Sequence, residues 1–237
     1  MAEVVARSGL DWLLIDLEHG TTEGSDLLPM LLAATAADAT ALVRVESAER
    51  IRIGRALDLG AQGIMVPQVH TADQARQVAS WMRTQPAGER GIALFTRGMG
   101  YGSVGHGGVA ERHEGLLCIV QIESRAALAA VDEIARIDGV DALFVGPTDL
   151  THALGIPGRI DQPEYQEAVT RVGQAARAAG KAAGVLVWNP EDVGAYAAKG
   201  FTFFGISSEV NILDRAIRAQ LDSAHRTVAA TANPEVP

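Results

Sequence analysis

The amino-acid sequence predicts an α/β fold, a (β/α)8 TIM barrel formed by a single domain. Short apolar runs alternate with amphipathic segments along nearly the whole chain, which is typical of parallel strands joined by helices. The chain has 237 residues, 48% of them hydrophobic, and all-parallel barrels commonly occupy this length as one domain. Polar side chains follow several of the apolar runs, where barrels of this kind carry their functional residues.

Seven apolar runs have the length and composition of buried strands. They begin near residues 11, 40, 63, 117, 142, 181 and 201. Helices are expected between them, with Ser25 and Thr71 as candidate N-caps. A short helix over residues 2–9 leads into the first strand, and the last helix is expected from Val210 to about Arg226.

A closed barrel of this class needs eight strands, so the count is one short. We hypothesise that the given chain begins after a strand of the full-length protein, because it opens with a helix that feeds the first visible strand. An irregular strand within the glycine-rich segment described next, or an open sheet, would also explain the count.

Residues 85–115 interrupt the alternation of strands and helices. This segment holds nine glycines together with Arg90, Arg97, Tyr101 and two histidines. Long structureless connections in compact domains are usually lids or mobile segments, so we expect a functional loop here. The barrel domain is predicted to cover residues 1–228, followed by a flexible tail over residues 229–237.

Composition excludes several classes of protein. The chain has 20 basic and 29 acidic residues, a net charge of −9, which disfavours a surface that binds nucleic acid. The single cysteine, Cys118, lies in a predicted strand, so there is no disulfide framework and a reducing, cytoplasmic setting fits best. No stretch approaches the roughly 18 apolar residues of a membrane span, and the start lacks the pattern of a signal peptide. We therefore expect a soluble protein with no membrane partner.

Two carboxylates flank the clearest strand–helix–strand pattern in the chain. The strands Leu117–Ile122 and Ala142–Val145 are separated by about three turns of helix and are followed by Glu123 and Asp149. A crossover between parallel strands places both carboxyl ends on one edge, and neighbouring strands lie about 4.8 Å apart. The two carboxylates can therefore share one divalent cation, although helix capping is an alternative role for each.

Other polar residues at strand ends complete a chemically coherent set. His19 can transfer a proton near neutral pH, and Arg44 can hold an oxyanion or a carboxylate through its planar guanidinium. Considered alone, His19 is typical of a loop histidine, and Arg44 of a residue paired with a local acid such as Glu46. Asp16 is either a partner of His19 or a buried acceptor of backbone hydrogen bonds.

The remaining histidines show no metal-ligand spacing. We interpret them as surface or loop residues: His70, His106, His113, His152 and His225. No Walker loop or dinucleotide-binding glycine fingerprint occurs, so nucleotide phosphates are not expected ligands.

Several separated segments resemble the HpcH/HpaI family of pyruvate-dependent class II aldolases, in the same order and over about residues 5–215. They read DWLLIDLEHG, LVRV, IRIGRALDLGAQGIMVPQVHTADQA, ERGIA, VQIES and LFVGPTDL. DLEH, QIE and GPTDL are the most specific of these motifs. The resemblance implies a (β/α)8 barrel that binds Mg²⁺, Mn²⁺ or Co²⁺.

The resemblance also assigns roles to residues of this chain. Glu123 of QIE and Asp149 of GPTDL would bind the metal, which chelates the keto and carboxylate oxygens of pyruvate. His19 of DLEH would handle the proton, and Arg44 would steady the enolate. No Schiff-base lysine is then needed.

Three further assignments follow from the resemblance alone. Gln121 and Thr148 would contact the substrate, and Thr148 stands where the family commonly has a smaller alanine. Asp58 would raise the basicity of His19, a role for which Asp16 is a competing candidate. The segment after ERGIA is only loosely similar to the arginine-rich loop of the family, so acceptor contacts there are open.

The implied activity is reversible cleavage of a 4-hydroxy-2-oxo acid to pyruvate, or hydroxypyruvate, and an aldehyde. Alternatives on the same enolate site are oxaloacetate decarboxylation and cleavage of a CoA thioester of the malyl-CoA type. A non-catalytic metal-binding or ligand-binding barrel is the alternative from another class. The resemblance further implies a homotrimer or homohexamer, and the amphipathic segment Val210–Leu221 is compatible with exchange of the last helix between subunits.

Overall fold

The fold is a single seven-stranded parallel sheet surrounded by helices. A computed structural model describes residues 1–20 and 24–232 of the chain, and all side chains in these ranges up to residue 229. Neighbouring strands in the sheet follow chain order from β1 to β7. The strands are Trp12–Asp16 (β1), Thr40–Arg44 (β2), Gly63–Val66 (β3), Leu117–Ile122 (β4), Ala142–Val145 (β5), Ala182–Val187 (β6) and Phe203–Ile206 (β7). All seven strands predicted from the sequence are therefore confirmed.

Helices connect each strand to the next and cover the outer face of the sheet. Those up to β4 are Ala2–Ala6 (α1), Leu27–Ala36 (α2), Arg50–Asp58 (α3), Ala72–Met82 (α4) and Val109–Glu114 (α5). Those after β4 are Arg125–Ala129 (α6), Val131–Ala135 (α7), Pro147–Ala153 (α8), Pro163–Ala178 (α9), Val193–Ala197 (α10) and Glu209–Ala232 (α11).

Two apolar layers hold the sheet in place. The larger packs the outer side chains of the strands against the helices, and includes Ile15, Val43 and Val120. The smaller fills the inner face with Leu42, Met65, Ile119, Ala142 and Phe144. Successive strand residues point to opposite faces, so strands buried on both sides read as continuous apolar runs.

The sheet curls until its two edge strands approach each other. The ring of Trp12 on β1 stacks on Phe203 of β7 with centroids 4.3 Å apart, and Phe203 meets Phe144 edge-on at 6.0 Å. Within residues 1–20 and 24–232, the sheet has seven strands and no eighth strand pairs with β1 or β7. The described part of the chain is thus a curled half-barrel rather than a closed eight-stranded barrel.

Some local predictions need correction. Asp26, not Ser25, is the N-cap of α2, whereas Thr71 caps α4 in a full capping box with Gln74. The helix between β4 and β5 is broken at Ala130, where φ is −91° and ψ is 5°. The surrounding alanines favour a helix, so composition gives no signal for this break.

The prediction of a structureless loop over residues 85–115 is wrong in part. It contains two 3-10 turns, Arg97–Gly102 and His106–Gly108, and the helix α5. Arg97 donates to the carbonyl of Leu59 at 3.0 Å, which anchors the segment on the end of α3. Because it follows a helix and precedes a strand, the segment lies at the edge where the strands begin.

The C-terminal boundary also differs from the prediction. The last helix continues to Ala232, so residues 229–232 of the predicted tail are helical, and residues 233–237 lie outside the described residues. Within the described ranges, each helix is too short or too polar to cross a bilayer.

Candidate active site

The carboxyl edge of the sheet, where the strands end, brings most of the predicted site residues together. Asp16 and Arg44 are the last residues of β1 and β2 and are register partners. Arg44 Nε donates to Asp16 Oδ1 at 2.8 Å, and Nη2 donates to Oδ2 at 2.5 Å. This bidentate pair fixes the plane of the guanidinium at the rim of the half-barrel.

A second carboxylate, Glu18, contacts both Arg44 and His19. Its Oε2 lies 3.2 Å from Arg44 Nη1 and 3.6 Å from His19 Nε2. The imidazole of His19 remains 67% exposed, so it faces the solvent above the edge. Glu46, the alternative partner of Arg44, pairs with Arg52 instead at 3.1 Å.

The charges around Arg44 control protonation at this end of the site. Burial acts to raise the pKa of Asp16, but the hydrogen bond and the charge of Arg44 outweigh it, so the pKa is lowered. Burial likewise acts to lower the pKa of Arg44, and Asp16, Glu18 and Glu123 together raise it. Arg44 is therefore a permanent cation among carboxylates.

The main chain positions Glu123, which is buried at the end of β4 with 7% exposure. Its Oε1 accepts a hydrogen bond from the backbone N–H of Gln68 at 2.6 Å. Burial is the largest cause of the raised pKa of Glu123, and repulsion from Asp149 and Glu18 adds to it, against the Gln68 N–H and Arg44. A bound cation would stabilise the ionised form of a buried carboxylate that two neighbouring carboxylates repel.

Asp149 reaches the same rim from the first turn of α8. Gly146 precedes this helix, and Pro147 occupies its first position. A Cβ added at Gly146 would lie 3.0 Å from Glu123 Oε2 and 3.3 Å from Gln121 Nε2. The glycine therefore allows the backbone of α8 to approach the Glu123 carboxylate closely.

These residues fit a divalent cation that keeps open coordination positions. Among the described residues, no group of three or more His, Cys, Asp or Glu side chains forms a complete cage. Mg²⁺ and Mn²⁺ are hard ions that take oxygen ligands, and Mg²⁺ is commonly held by one or two carboxylates with water and substrate. Glu123 and Asp149 would supply the two carboxylates.

Gln121 and Thr148 lie beside this pair. Gln121 is 3% exposed, and its Oε1 is buried without a hydrogen-bond partner in the described structure. Thr148 is exposed, and its carbonyl accepts from Thr151 Oγ1 at 2.8 Å. The side chain of Thr148 is therefore at the rim and open to solvent.

Asp58 is the one predicted site residue that the chain does not bring to the carboxyl edge. It ends α3, just before β3, so it lies at the amino edge, where the strands begin. There it pairs with Arg90 at 2.8 Å. Asp58 is thus not the partner of His19 within one chain, because the barrel wall separates them.

Asp16 does not fill that role either, since its carboxylate binds the Arg44 side chain and the backbone N–H groups of Glu18 and His19, at 3.0 and 3.4 Å. The carboxylate nearest the imidazole is Glu18. The second alternative considered for Asp16, a buried acceptor of backbone hydrogen bonds, is confirmed in part: it accepts from the backbone, but its side chain is 29% exposed.

Sequence reasoning assigned no role to three residues near Glu123. Glu18 links Arg44 to His19, Gln68 holds Glu123, and His70 Nδ1 lies 2.9 Å from the hydroxyl of Ser124, the residue after Glu123. Glu18 and Gln68 each stand two residues after a strand and His70 stands four residues after one, so the strand ends indicate the region but not these contacts. The interpretation of His113 as a surface or loop residue was also wrong, since it is 7% exposed and lies in α5 at the amino edge.

The sequence matches a family model and several named enzymes. The family model described as HpcH/HpaI aldolase/citrate lyase matches residues 1–216. A hydroxypyruvate/pyruvate aldolase of Delftia acidovorans is 39% identical over 229 residues, which cover 96% of this chain and 85% of that protein. A 2-keto-3-deoxy-L-rhamnonate aldolase of Shigella sonnei is 38% identical over 222 residues, which cover 93% and 83%.

The fold is also similar to that of a solved structure. The crystal structure of an HpcH/HpaI aldolase/citrate lyase family protein from Burkholderia cenocepacia J2315 superposes with a TM-score of 0.90 at 34% identity, covering 94% of this chain and 89% of that one. The family-model match over residues 1–216 includes all seven strands. This chain therefore belongs to the HpcH/HpaI aldolase/citrate lyase family.

Proposed function

We propose that this protein is a divalent-metal-dependent class II aldolase, a carbon–carbon lyase that cleaves a 4-hydroxy-2-oxo acid to pyruvate, or hydroxypyruvate, and an aldehyde. One observation carries the proposal most directly. The buried carboxylate of Glu123 lies within reach of the charges of Asp149 and Glu18, beside the Arg44–Asp16 pair. The relatives named as aldolases, at 38 to 39% identity over more than nine-tenths of the chain, support the same reaction class.

Glu123 and Asp149 would hold Mg²⁺, Mn²⁺ or Co²⁺ at the carboxyl edge. When bound, the cation would supply positive charge to offset an enolate of the 2-oxo acid, the role of a Schiff-base lysine in other aldolases. Gln121 and Gly146, the residue before α8, would border the buried side of the substrate, with Thr148 at the rim.

His19 and Arg44 would perform the proton and charge steps. The exposed imidazole of His19 takes the proton of the aldol hydroxyl during cleavage and returns it in the reverse direction. Arg44 stays cationic and is held rigidly by Asp16, so it can offset charge on the enolate oxygen without reorienting.

Asp58 can support His19 only from a second copy of the chain. Its side chain is 39% exposed on a surface that also presents Ile51, 73% exposed, and Phe95, 83% exposed. Exposed apolar residues around a functional carboxylate favour contact with another subunit. We therefore extend the proposal to a homotrimer or homohexamer in which Asp58 of one subunit faces His19 of the next.

The last helix supports self-association independently. Its apolar residues are exposed along its length: Val210, Ile212, Leu213, Ile217, Leu221 and Val228. A helix that leaves this many apolar side chains in water is stabilised by a partner surface. A mixture of His19→Ala and Asp58→Ala subunits should regain activity that each variant lacks alone, and light scattering should give the mass of a trimer or a hexamer. A monomer, or mixtures that stay inactive, would contradict this arrangement.

We also propose that the active fold is a closed (β/α)8 barrel whose eighth strand lies between β1 and β7. The stacking of Trp12 on Phe203 supports this, because it shows that the two edges curve toward each other. A crystal structure in which β1 and β7 remain unpaired edges would contradict closure.

The reaction itself is tested by a metal-dependent assay across substrates. Purified protein should release pyruvate from 4-hydroxy-2-oxo acids, and should condense pyruvate or hydroxypyruvate with aldehydes, after Mn²⁺ or Mg²⁺ is added. Chelation should abolish both reactions and added metal should restore them. Full activity in metal-free protein would contradict the proposal.

A further inference from the structure

The backbone of Gln68 has an unusual conformation directly beside the proposed metal site. Its φ angle is +55°, in the left-handed region that glycine adopts freely and other residues rarely do. Gln68 follows β3 and Pro67, at the carboxyl edge. A left-handed residue that is not glycine persists only when the surrounding structure fixes it, and such residues are enriched at functional sites.

This conformation aims the backbone N–H of Gln68 into the half-barrel. The N–H donates to Oε1 of the buried Glu123 at 2.6 Å, a short hydrogen bond to a charged acceptor. The side chain of Gln68 is exposed, and its amide donates to Glu18 Oε1 at the long distance of 3.5 Å. The main chain of Gln68, rather than its side chain, therefore makes the strong contact with the site.

The same turn is fastened to the residue after Glu123. His70 Nδ1 lies 2.9 Å from Ser124 Oγ, and Ser124 in turn caps α6 by accepting from the N–H of Ala127 at 3.1 Å. The turn over residues 67–70 thus contacts two consecutive residues of the β4 end. These contacts hold the turn against Glu123.

We propose that Gln68 is a positioning residue for the metal ligand Glu123, and that it acts through its main-chain N–H in the left-handed conformation. This inference rests on the proposed metal site. The N–H binds Oε1, which leaves Oε2, the oxygen on the side of Gly146, for the cation. Fixing the carboxylate in advance removes an entropic cost from metal binding.

Two substitutions separate the backbone from the side chain. Both Gln68→Gly and Gln68→Val remove the amide, but glycine adopts a positive φ freely, whereas a β-branched residue does not. We expect Gln68→Gly to bind Mn²⁺ within about twofold of the wild type, and Gln68→Val to bind about tenfold more weakly. The metal-free protein is titrated with Mn²⁺, and the concentration of free Mn²⁺ is measured by electron paramagnetic resonance.

Asp38 provides a matched control. It also has a positive φ, +57°, but it lies in the connection from α2 to β2, at the amino edge. Asp38→Gly and Asp38→Val should change the melting temperature as the Gln68 pair does. Neither should change the affinity for Mn²⁺.

Each other outcome has a distinct meaning. Equal Mn²⁺ affinity in Gln68→Val and the wild type would overturn the inference, as would equal weakening in Gln68→Gly and Gln68→Val, which would assign the effect to the side-chain amide. If Asp38→Val weakened Mn²⁺ binding by a similar factor, the effect of Gln68→Val would be explained by general destabilisation of the protein. Failure of the wild type itself to bind Mn²⁺ would overturn the proposed metal site, and this inference with it.

Discussion

The amino and carboxyl edges of the sheet differ in how their charged side chains are paired. At the amino edge, the buried Arg90 pairs with Asp58 at 2.8 Å, and Asp141 accepts from the backbone N–H of Cys118 at 2.8 Å. At the carboxyl edge, burial raises the pKa of Glu123, and the like charges of Asp149 and Glu18 raise it further.

The arginines show the same difference. Arg97 and Arg112 at the amino edge donate to carbonyl oxygens of the chain, at 3.0 and 2.9 Å, and so stabilise the segment over residues 85–115. Arg44 at the carboxyl edge is the cation that faces three carboxylates, Asp16, Glu18 and Glu123. The amino edge is built for stability, whereas the carboxyl edge keeps an excess of negative charge that a bound cation can offset.

The largest expected effect separates metal binding from stability. Glu123→Ala and Asp149→Ala should each weaken Mn²⁺ binding by more than about 100-fold, because they remove a ligand rather than a supporting contact. Asp141→Ala, at the opposite edge, should lower the free energy of unfolding by about 1–3 kcal/mol, since it leaves the Cys118 N–H without its acceptor. Calorimetric titration and thermal melting of all three variants measure both quantities, and loss of Mn²⁺ binding in Asp141→Ala would break the comparison.

The next effect is on turnover alone. His19→Ala should keep the wild-type affinity for Mn²⁺ and lose about 10²- to 10⁴-fold in kcat, the usual contribution of a general acid or base. The exposed imidazole makes few packing contacts, so stability should be unchanged. His152→Ala serves as the matched control, and retained turnover in His19→Ala would assign the proton transfer to another group.

A smaller effect concerns the stability of the metal-free protein. The folded pKa of Glu123 is raised, so ionising it costs stability as the pH rises from the ordinary carboxylate range through the folded pKa. Glu123→Gln removes this charge and keeps an acceptor for the Gln68 N–H. The metal-free variant should therefore melt above metal-free wild type at about pH 8, and the difference should shrink toward about pH 5. A wild type that melts above the variant at the higher pH would show that Glu123 is not under repulsion.

The smallest effect tests the amino edge. Burial and the charge of Arg90 lower the pKa of His113 to about 4, although Asp58 acts in the opposite direction. The native state thus favours neutral His113, and stability should be lost as the pH falls from about 6.5 toward 4. His113→Gln should show a shallower loss over this range in thermal melting. An unchanged slope would mean that other groups dominate acid unfolding.

Much of the fold was predictable because burial on both faces leaves a simple pattern. Strands such as Ala142–Val145 are continuous apolar runs, and their carboxyl ends carry the polar residues. The proposed pair Glu123 and Asp149 follows from that pattern and from the handedness of the crossover. The break at Ala130 could not be predicted, since alanine is the strongest helix former.

The placement of Asp58 and of residues 85–115 was available from the sequence but easily overlooked. Asp58 ends a helix, residues 85–115 follow one, and both precede a strand; in a parallel sheet such connections lie at the amino edge. A family resemblance assigns a residue to a reaction without saying which copy of the chain it serves. The polarity of the connection shows that Asp58 is remote from its own His19.

The role of Gln68 could not have been read from the sequence. Glutamine gives no signal for a positive φ, and its contact with Glu123 uses a backbone N–H that every residue but proline carries. The ion pair between Arg44 and Asp16 leaves more trace in the sequence, because the two residues end adjacent strands and are register partners. Register decides this pair, and register is fixed by packing of the whole sheet.

Exchange of the methyl protons of pyruvate for deuterium tests the central claim most directly, because it reports enolate formation without requiring the aldehyde to be known. In D₂O with Mg²⁺, wild-type protein should cause metal-dependent loss of the methyl signal in the proton NMR spectrum. Chelation and Glu123→Ala should each stop the exchange, while Asp141→Ala should retain it at a temperature where that variant is folded. Exchange that persists without metal, or in Glu123→Ala, would contradict the assignment of the carboxyl edge as a metal-dependent enolate site.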